Sequence, residues 1–374
     1  MGRKGGTGRT KIFSRLSRPS CLSCLSCLSC LLLFSQQPDN APALYALGQK
    51  YTDVSNEAAR TFGDRPDDAA WRRLLAADAL LANGRMVDAF ALYRDALDAL
   101  PSMITIHDSI ARIYERTGHA EWAARERAAA GSIDCAAHQA LCEFRAGRLR
   151  EALDATRDRT DAESRYWRAR AAGDLARAAF ARLDELPDSV ERRGARAARA
   201  RAEERHLDAI AELEAALRLA PGHPALTYEL AAACYAARDY DRAFSSLAPL
   251  LGAASADGRV LTLAGYSLLR LRRLDQAIPL LERAVQRGNA DPALRLALGR
   301  AYVQNGRYAA AIPLLEPQLA RDDDGSLHVQ LARAYGAVGE REKAAALLAA
   351  SVDLQRAADR QAAASAQRAI TPPR

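Results

Sequence analysis

From residue 41 onward, apolar residues return every three or four positions, and no alternating strand pattern of useful length interrupts them. The stretch Asp291 to Gln318 carries the pattern most fully. Leu294, Leu298 and Tyr302 recur at helical spacing, Asn305-Gly306-Arg307 breaks the run, and Tyr308, Ala311, Ile312 and Leu315 begin a second amphipathic helix. Glycine suits such a break because it enters the left-handed conformation at a helix end without steric cost. The predicted unit is helix, tight turn, helix.

That unit is copied on a fixed beat. Ala209, Ala243, Ala277 and Ala311 stand 34 residues apart, and Ala344 follows after 33. Ala231, Gly265 and Gly299 keep the same interval, with Ala332 closing the set after 33. Earlier copies appear at Leu80, Asn83-Gly84-Arg85, Ala89, Tyr93, Ala96 and Pro101, and then at Tyr114, Gly118 and Ala123; Tyr335, Gly339 and Ala344 form the last. A lone helix pair cannot bury both of its apolar stripes, so each copy needs neighbours. Small residues at constant phase let the helix axes approach where they cross. The fold class expected is all-α: a right-handed solenoid of stacked helix-turn-helix repeats.

These residues resemble the tetratricopeptide repeat, a 34-residue helix-turn-helix unit, best at Leu298-Gly299, Tyr302, Gly306, Tyr308, Ala311 and Leu315. The likeness spans most of 68–130 and 190–351 and fades over about 131–187. A second layer of repetition relates Tyr45, Asp53, Ala58, Pro66, Asp67 and Arg72 to Tyr166, Asp174, Ala179, Pro187, Asp188 and Arg193, at an offset of 121. Each larger block opens with an amphipathic stretch. In the first, Leu44, Leu47, Tyr51, Val54, Ala58 and Phe62 step by three or four; in the second, Gly173-Asp174 leaves open one long helix or a hairpin over 163–187. The block layout is similar to exported bacterial tetratricopeptide proteins of unassigned role. The domains expected are a leader at 1–40, a first block at 41–187, a regular array at 188–351 and a polar capping helix with a tail at 352–374.

The resemblance implies a binding surface, because the first helix of each such unit lines a concave groove. Carried over by phase, the groove presents Tyr228, Ala232, Tyr235 and Ala236, then Thr262, Tyr266, Leu269 and Arg270, then Leu296, Arg300, Val303 and Gln304, then Val329 and Arg333, with Trp71, Leu74 and Asp78 as N-terminal counterparts. Tyr and Arg are enriched at binding hot spots, and Arg pairs well with carboxylates. The partner implied is an extended protein segment or peptide with acidic groups. Family members that clamp a chaperone's terminal carboxylate use a Lys/Asn constellation, which is missing at these places.

Charge changes the picture only at the N-terminus. Arg3, Lys4, Arg9, Lys11, Arg15 and Arg18 against Asp39 place +5 of the net +7 within residues 1–40, leaving +2 for the repeat body. A broad basic face with stacking aromatics is therefore absent, which argues against a nucleic-acid partner. The basic start, the apolar run Cys21 to Phe34 and the polar Ser35-Gln36-Gln37 follow the order of a secretory signal peptide. Cleavage after Ser35 or Ala43 makes the chain exported, periplasmic or secreted; a mis-called start codon makes it cytoplasmic. Any membrane contact runs through an uncleaved leader.

Catalytic signals are lacking. Cys21, Cys24, Cys27 and Cys30 sit three apart with Leu-Ser filler, a low-complexity triplet without the longer last gap and proline of an iron–sulfur run. Cys135, Cys142 and Cys234 are too scattered for a disulfide framework, and Cys234 reads as a small core hydrophobe. The six histidines show no zinc spacing, and no G-x-S-x-G occurs. Asp322-Asp323-Asp324-Gly325 lacks the alternating ligands of a calcium loop and reads as a helix N-terminal turn. The sequence thus predicts no enzyme and no cofactor or metal. The alternatives are an envelope-anchored assembly factor, or an enzyme with a site of unfamiliar pattern in 131–187.

Overall fold

The computed structural model describes residues 40–373 apart from 64–65, 102, 131, 253–256, 289–290 and 367–368. The leader and its four cysteines lie outside the described residues. Eighteen α-helices and no strand occur among those described: α1 Ala41–Arg60, α2 Pro66–Ala82, α3 Met86–Leu97, α4 Ile104–Arg116, α5 Ala120–Ala129, α6 Gln139–Arg145, α7 Leu149–Ala155, α8 Ala162–Glu185, α9 Val190–Ala202, α10 His206–Leu219, α11 Pro224–Ala236, α12 Tyr240–Leu251, α13 Gly258–Arg270, α14 Leu274–Gln286, α15 Pro292–Gln304, α16 Tyr308–Leu315, α17 Ser326–Ala337 and α18 Arg341–Ala366. The protein is an all-α solenoid. None of the described helices is long and apolar enough to cross a membrane.

Sixteen of the helices form hairpins, from α2–α3 to α17–α18, and α1 and α8 stand apart as long single helices. The beat residues explain the stacking. Ala209, Ala243, Ala277 and Ala311 are each 0% exposed, as is Ala231, while Gly265 and Gly299 are also buried. A Cβ built on Gly299 would stand 2.5 Å from the Leu315 side chain, so the crossing of α15 and α16 admits nothing larger. Ala344 is only half-buried.

Hairpin turns need one left-handed residue each. Gly84, Gly118, Gly147, Gly306 and Gly339 supply it with φ between 74° and 92°. In the same register Glu204, Arg238 and Arg272 take φ of 58°, 65° and 62° without being glycine. Asp322 and Asp324 build a helix N-terminal turn as expected: Asp322 accepts from the His328 backbone and Asp324 from that of Ser326.

The two long helices settle the question left at Gly173-Asp174: α8 is one unbroken helix of 24 residues, capped by Asp161 accepting from Ser164 N at 2.9 Å. It runs antiparallel to α1. Tyr45 and Gly48, early in α1, meet Phe180, late in α8; Ser55 donates to Ala169 O at 2.8 Å; Arg165, early in α8, donates to Thr61 O at 2.7 Å past the end of α1. Each long helix opens its own block but packs on the other's first repeat helix, α8 on α2 and α1 on α9. The helices related by the 121-residue offset are thus exchanged between blocks.

The exchange has consequences for burial. Tyr166 and Trp167 of α8 join Phe62, Trp71, Leu74, Phe90, Ile106, Ile110 and Tyr114 in the first block's core. Asp78 accepts from Tyr93 and Tyr166, each at 2.7 Å, and pairs with Arg170. Burial, and then the Asp78 charge, pushes both tyrosine hydroxyls far up. Within its own block, Asp184 of α8 pairs with Arg196 and Arg199 of α9 at 2.6 and 2.9 Å.

The stretch 131–187 is a shortened hairpin, α6–α7, followed by α8. Cys135 and Cys142 form a disulfide at its start, Cα–Cα 5.7 Å, a pairing the sequence analysis left unmade. Cys234 is free and 0% exposed, the small core residue expected. At the C-terminal end α18 runs through residue 352 without a break, so the last repeat helix and the capping helix are one element.

Candidate functional site

The first helices of three consecutive hairpins, α11, α13 and α15, line a cleft of about 500 Å³. Tyr235, Tyr266, Arg270, Arg300 and Gln304 line it, together with Leu269, Leu296 and Arg272. The repeat phase places these side chains at corresponding positions, so they face one cavity. Tyr235 stacks edge-on against Tyr240 at 5.3 Å, and Arg270 both donates to the Tyr240 hydroxyl at 3.1 Å and lies over its ring.

The electrostatics are one-sided. Three guanidinium groups line this cleft, and no carboxylate does. Arg300 has no ion-pair partner among the described residues, although Asp324 feels its charge and is held below the ordinary carboxylate range, chiefly by Ser326. The Arg300 Nε and the Tyr266 hydroxyl are buried with no hydrogen-bond partner. Burial, then the Asp291 charge, pushes the Tyr266 hydroxyl up to about 12, so it remains a donor at every physiological pH. An unpaired buried donor costs about 1–3 kcal/mol, and a ligand oxygen that accepts from it offsets that cost. Chemically the cleft offers donors and fixed positive charge, with apolar walls from Leu269 and Leu296.

The other residues assigned by phase lie elsewhere. Tyr228 is half-buried under the Arg259 guanidinium, 5.5 Å from its ring centre, and outside the cleft lining. Arg333 is exposed on α17, also outside the lining. Val303 belongs to the core, and the Thr262 hydroxyl is spent on Gly258 O. Trp71 requires correction. It is 7% exposed, with its ring 5.4 Å from Tyr166, and Leu74 beside it is 1% exposed. The α8 helix covers the face of α2 that repeat phase assigns to a groove. Arg272 was missed. Its 34-residue step to Gly306 marks it as a turn residue, and a turn at that place delivers a side chain to the cleft rim.

A second arginine-lined cleft, of about 380 Å³, lies in the first block between α4, α6 and α8. Its charges are largely compensated within the protein. Arg127 pairs with Glu115 at 2.7 Å, Arg145 with Asp108 at 3.5 Å, and Arg170 with Asp78. A ligand carboxylate there competes with existing partners, whereas in the α11–α15 cleft it does not. No group of three or more His, Cys, Asp or Glu residues that could hold a metal ion occurs among the described residues.

Two stretches of the chain, residues 200–265 and 268–329, match the tetratricopeptide repeat family. No curated protein matches the chain. Among solved structures it is similar to YrrB, described as a TPR protein with an unusual peptide-binding site, at 21% identity and a TM-score of 0.41 over 47% of this chain and 92% of that one. It is similar to MamA of AMB-1 at 24% identity and a TM-score of 0.39, covering 44% and 90% of the two chains. For MamA of Desulfovibrio magneticus RS-1 the values are 20% and 0.41, covering 46% and 97%.

Proposed function

We propose that this chain, a tetratricopeptide-repeat protein over residues 200–329, is a protein-interaction scaffold whose α11–α15 cleft holds an extended peptide through acidic side chains. The observation that carries the proposal is the lining itself: Arg270, Arg272 and Arg300 without a carboxylate among them, beside the unpaired Tyr266 hydroxyl. A peptide carboxylate accepts from Arg300 and a main-chain carbonyl from Tyr266, while Leu269 and Leu296 cover an apolar side chain. Hydrogen bonds to charged groups contribute about 1.5–3 kcal/mol each, so losing Arg300 weakens binding about ten- to a hundredfold.

The test is a Tyr266→Ala, Arg300→Ala double variant of residues 41–374, assayed against partners captured by the unaltered protein. Binding is lost while the circular-dichroism spectrum stays helical. Full retention of binding removes the cleft from the account.

We further propose that the protein acts after export. The leader has the order of a secretory signal, and the Cys135–Cys142 disulfide suits an oxidising compartment. N-terminal sequencing of the mature protein then starts near residue 36–44; a start at Met1 contradicts export by cleavage.

A further inference from the structure

The chain's last described residues return to the first block. Helix α18 is 26 residues long, about 39 Å at 1.5 Å per residue. Beyond it, the Tyr114 hydroxyl of α4 donates to the Thr371 carbonyl at 2.6 Å, across 257 positions of sequence. Ile370 packs against the first block's apolar core. Tyr114 itself is 0% exposed and sits in an aromatic cluster: Phe90 lies 5.6 Å from its ring, Trp122 meets it edge-on at 5.6 Å, and His119 stacks on Trp122 at 4.0 Å.

Three features make this a ligand in its seat rather than a helix continuing. Residues 369–373 carry no helix, and Pro372 and Pro373 bar one. The residue before a proline is biased toward extended backbone, so Thr371 continues the non-helical run. Prolines also stiffen the segment before it docks, reducing the ordering cost of binding. A branched apolar side chain, one main-chain acceptor and a proline pair are the recognition elements. None of the residues involved lines the α11–α15 cleft.

The geometry points to a second peptide-binding site, the Phe90–Tyr114–Trp122 socket of the first block. It takes an extended segment with a branched apolar residue followed by a carbonyl acceptor and proline, and its resident occupant is the chain's own C-terminal tail. A partner bearing such a segment gains entry by displacing that tail.

The test uses the full chain. Ile370→Asp puts a charge into the apolar seat and releases the tail. A fluorescein-labelled peptide of residues 366–374 then binds the Ile370→Asp chain at least tenfold more tightly than the unaltered chain, whose socket is filled. Tyr114→Phe, added to the Ile370→Asp chain, keeps the ring but removes the donor and weakens the peptide about three- to tenfold. A labelled peptide that itself carries Ile370→Asp fails to bind. Equal binding to both chains, binding to neither, or indifference to Tyr114→Phe overturns the assignment. So does concentration-dependent self-association of the unaltered chain that Ile370→Asp abolishes, because the occupant is then the tail of a second copy. Helical circular dichroism and an unfolding transition on each variant separate lost binding from lost fold.

Discussion

At the scale of single residues, the repeat is held by positions where size or backbone angle leaves little choice. Arg238 occupies the left-handed turn position that Gly306 fills two units later, with φ of 65° against 74°. A side chain in that region costs about 1–2 kcal/mol, and glycine's greater freedom when unfolded takes back about 0.5–1. Arg238→Gly is therefore expected to stabilise the protein by about 0.5–1 kcal/mol, seen as a raised midpoint in thermal unfolding. A lowered midpoint contradicts the strain argument. The beat alanines were legible because helical phase is local: a small residue that returns every 34 positions sits at the same crossing each time, and Ala209, Ala243, Ala277 and Ala311 are buried alike. Trp71 was not legible. Its cover, Tyr166, arrives from 95 positions away, and nothing near Trp71 in the sequence marks that arrival. The Cys135–Cys142 pair escaped for a related reason, since spacing alone does not say which way two cysteines point at the start of a short helix.

At the scale of elements, the exchange of α1 and α8 is the feature that local pattern leaves unspecified. Both helices announce themselves by periodicity and by the 121-residue offset, but an amphipathic stripe does not name its partner. The partner is fixed by particular fits: Phe180 against Gly48, where a Cβ would stand 2.5 Å from the ring, and Ser55 donating to Ala169 O at 2.8 Å. Asp184, between Arg196 and Arg199, ties α8 to α9 of its own block. Burial alone raises the Asp184 carboxyl, but the hydrogen bonds from Arg196 and Arg199 and their charges outweigh it, so the group titrates below its ordinary range. A carboxyl depressed in the folded state contributes stability that is present above its unfolded pKa of about 3.9 and is lost as pH falls through the folded value. Asp184→Asn is accordingly expected to lower the unfolding midpoint at pH 7, and the gap between variant and parent closes as the pH drops below about 4. A gap that persists unchanged in acid assigns the loss to packing rather than charge. The network around Asp78 joins α8 to α2 of the first block. Two ion pairs tie α2 to α8 there, Asp78 with Arg170 and the more deeply buried Asp68 with Arg165, and removing one member of a fully buried pair costs about 3–5 kcal/mol.

At the scale of the whole molecule, the eight hairpins and two exchanged helices among the described residues give two blocks with different faces. In the first block α8 buries what phase assigned to a groove, and the cleft between α4, α6 and α8 has Arg127, Arg145 and Arg170 paired internally. In the second block α1 packs on α9, and the cleft farther along, lined by α11, α13 and α15, keeps its guanidinium groups without carboxylate neighbours in its lining. Seven of the groove residues chosen from sequence meet there because helical phase and repeat phase suffice to bring them together; Trp71 fails where the array is interrupted by an element from the other block. On the proposed reading this cleft selects for negative charge. The most direct measurement is the affinity of a set of extended peptides of equal length, alike in apolar residues and differing only in carrying Glu, Gln or Lys at alternate positions, titrated into residues 41–374 at two salt concentrations. The Glu peptide is expected to bind tightest, to weaken as salt rises, and to lose its advantage over Gln in the Arg270→Ala, Arg300→Ala variant. Equal affinity for the Glu and Gln peptides at low salt contradicts that reading.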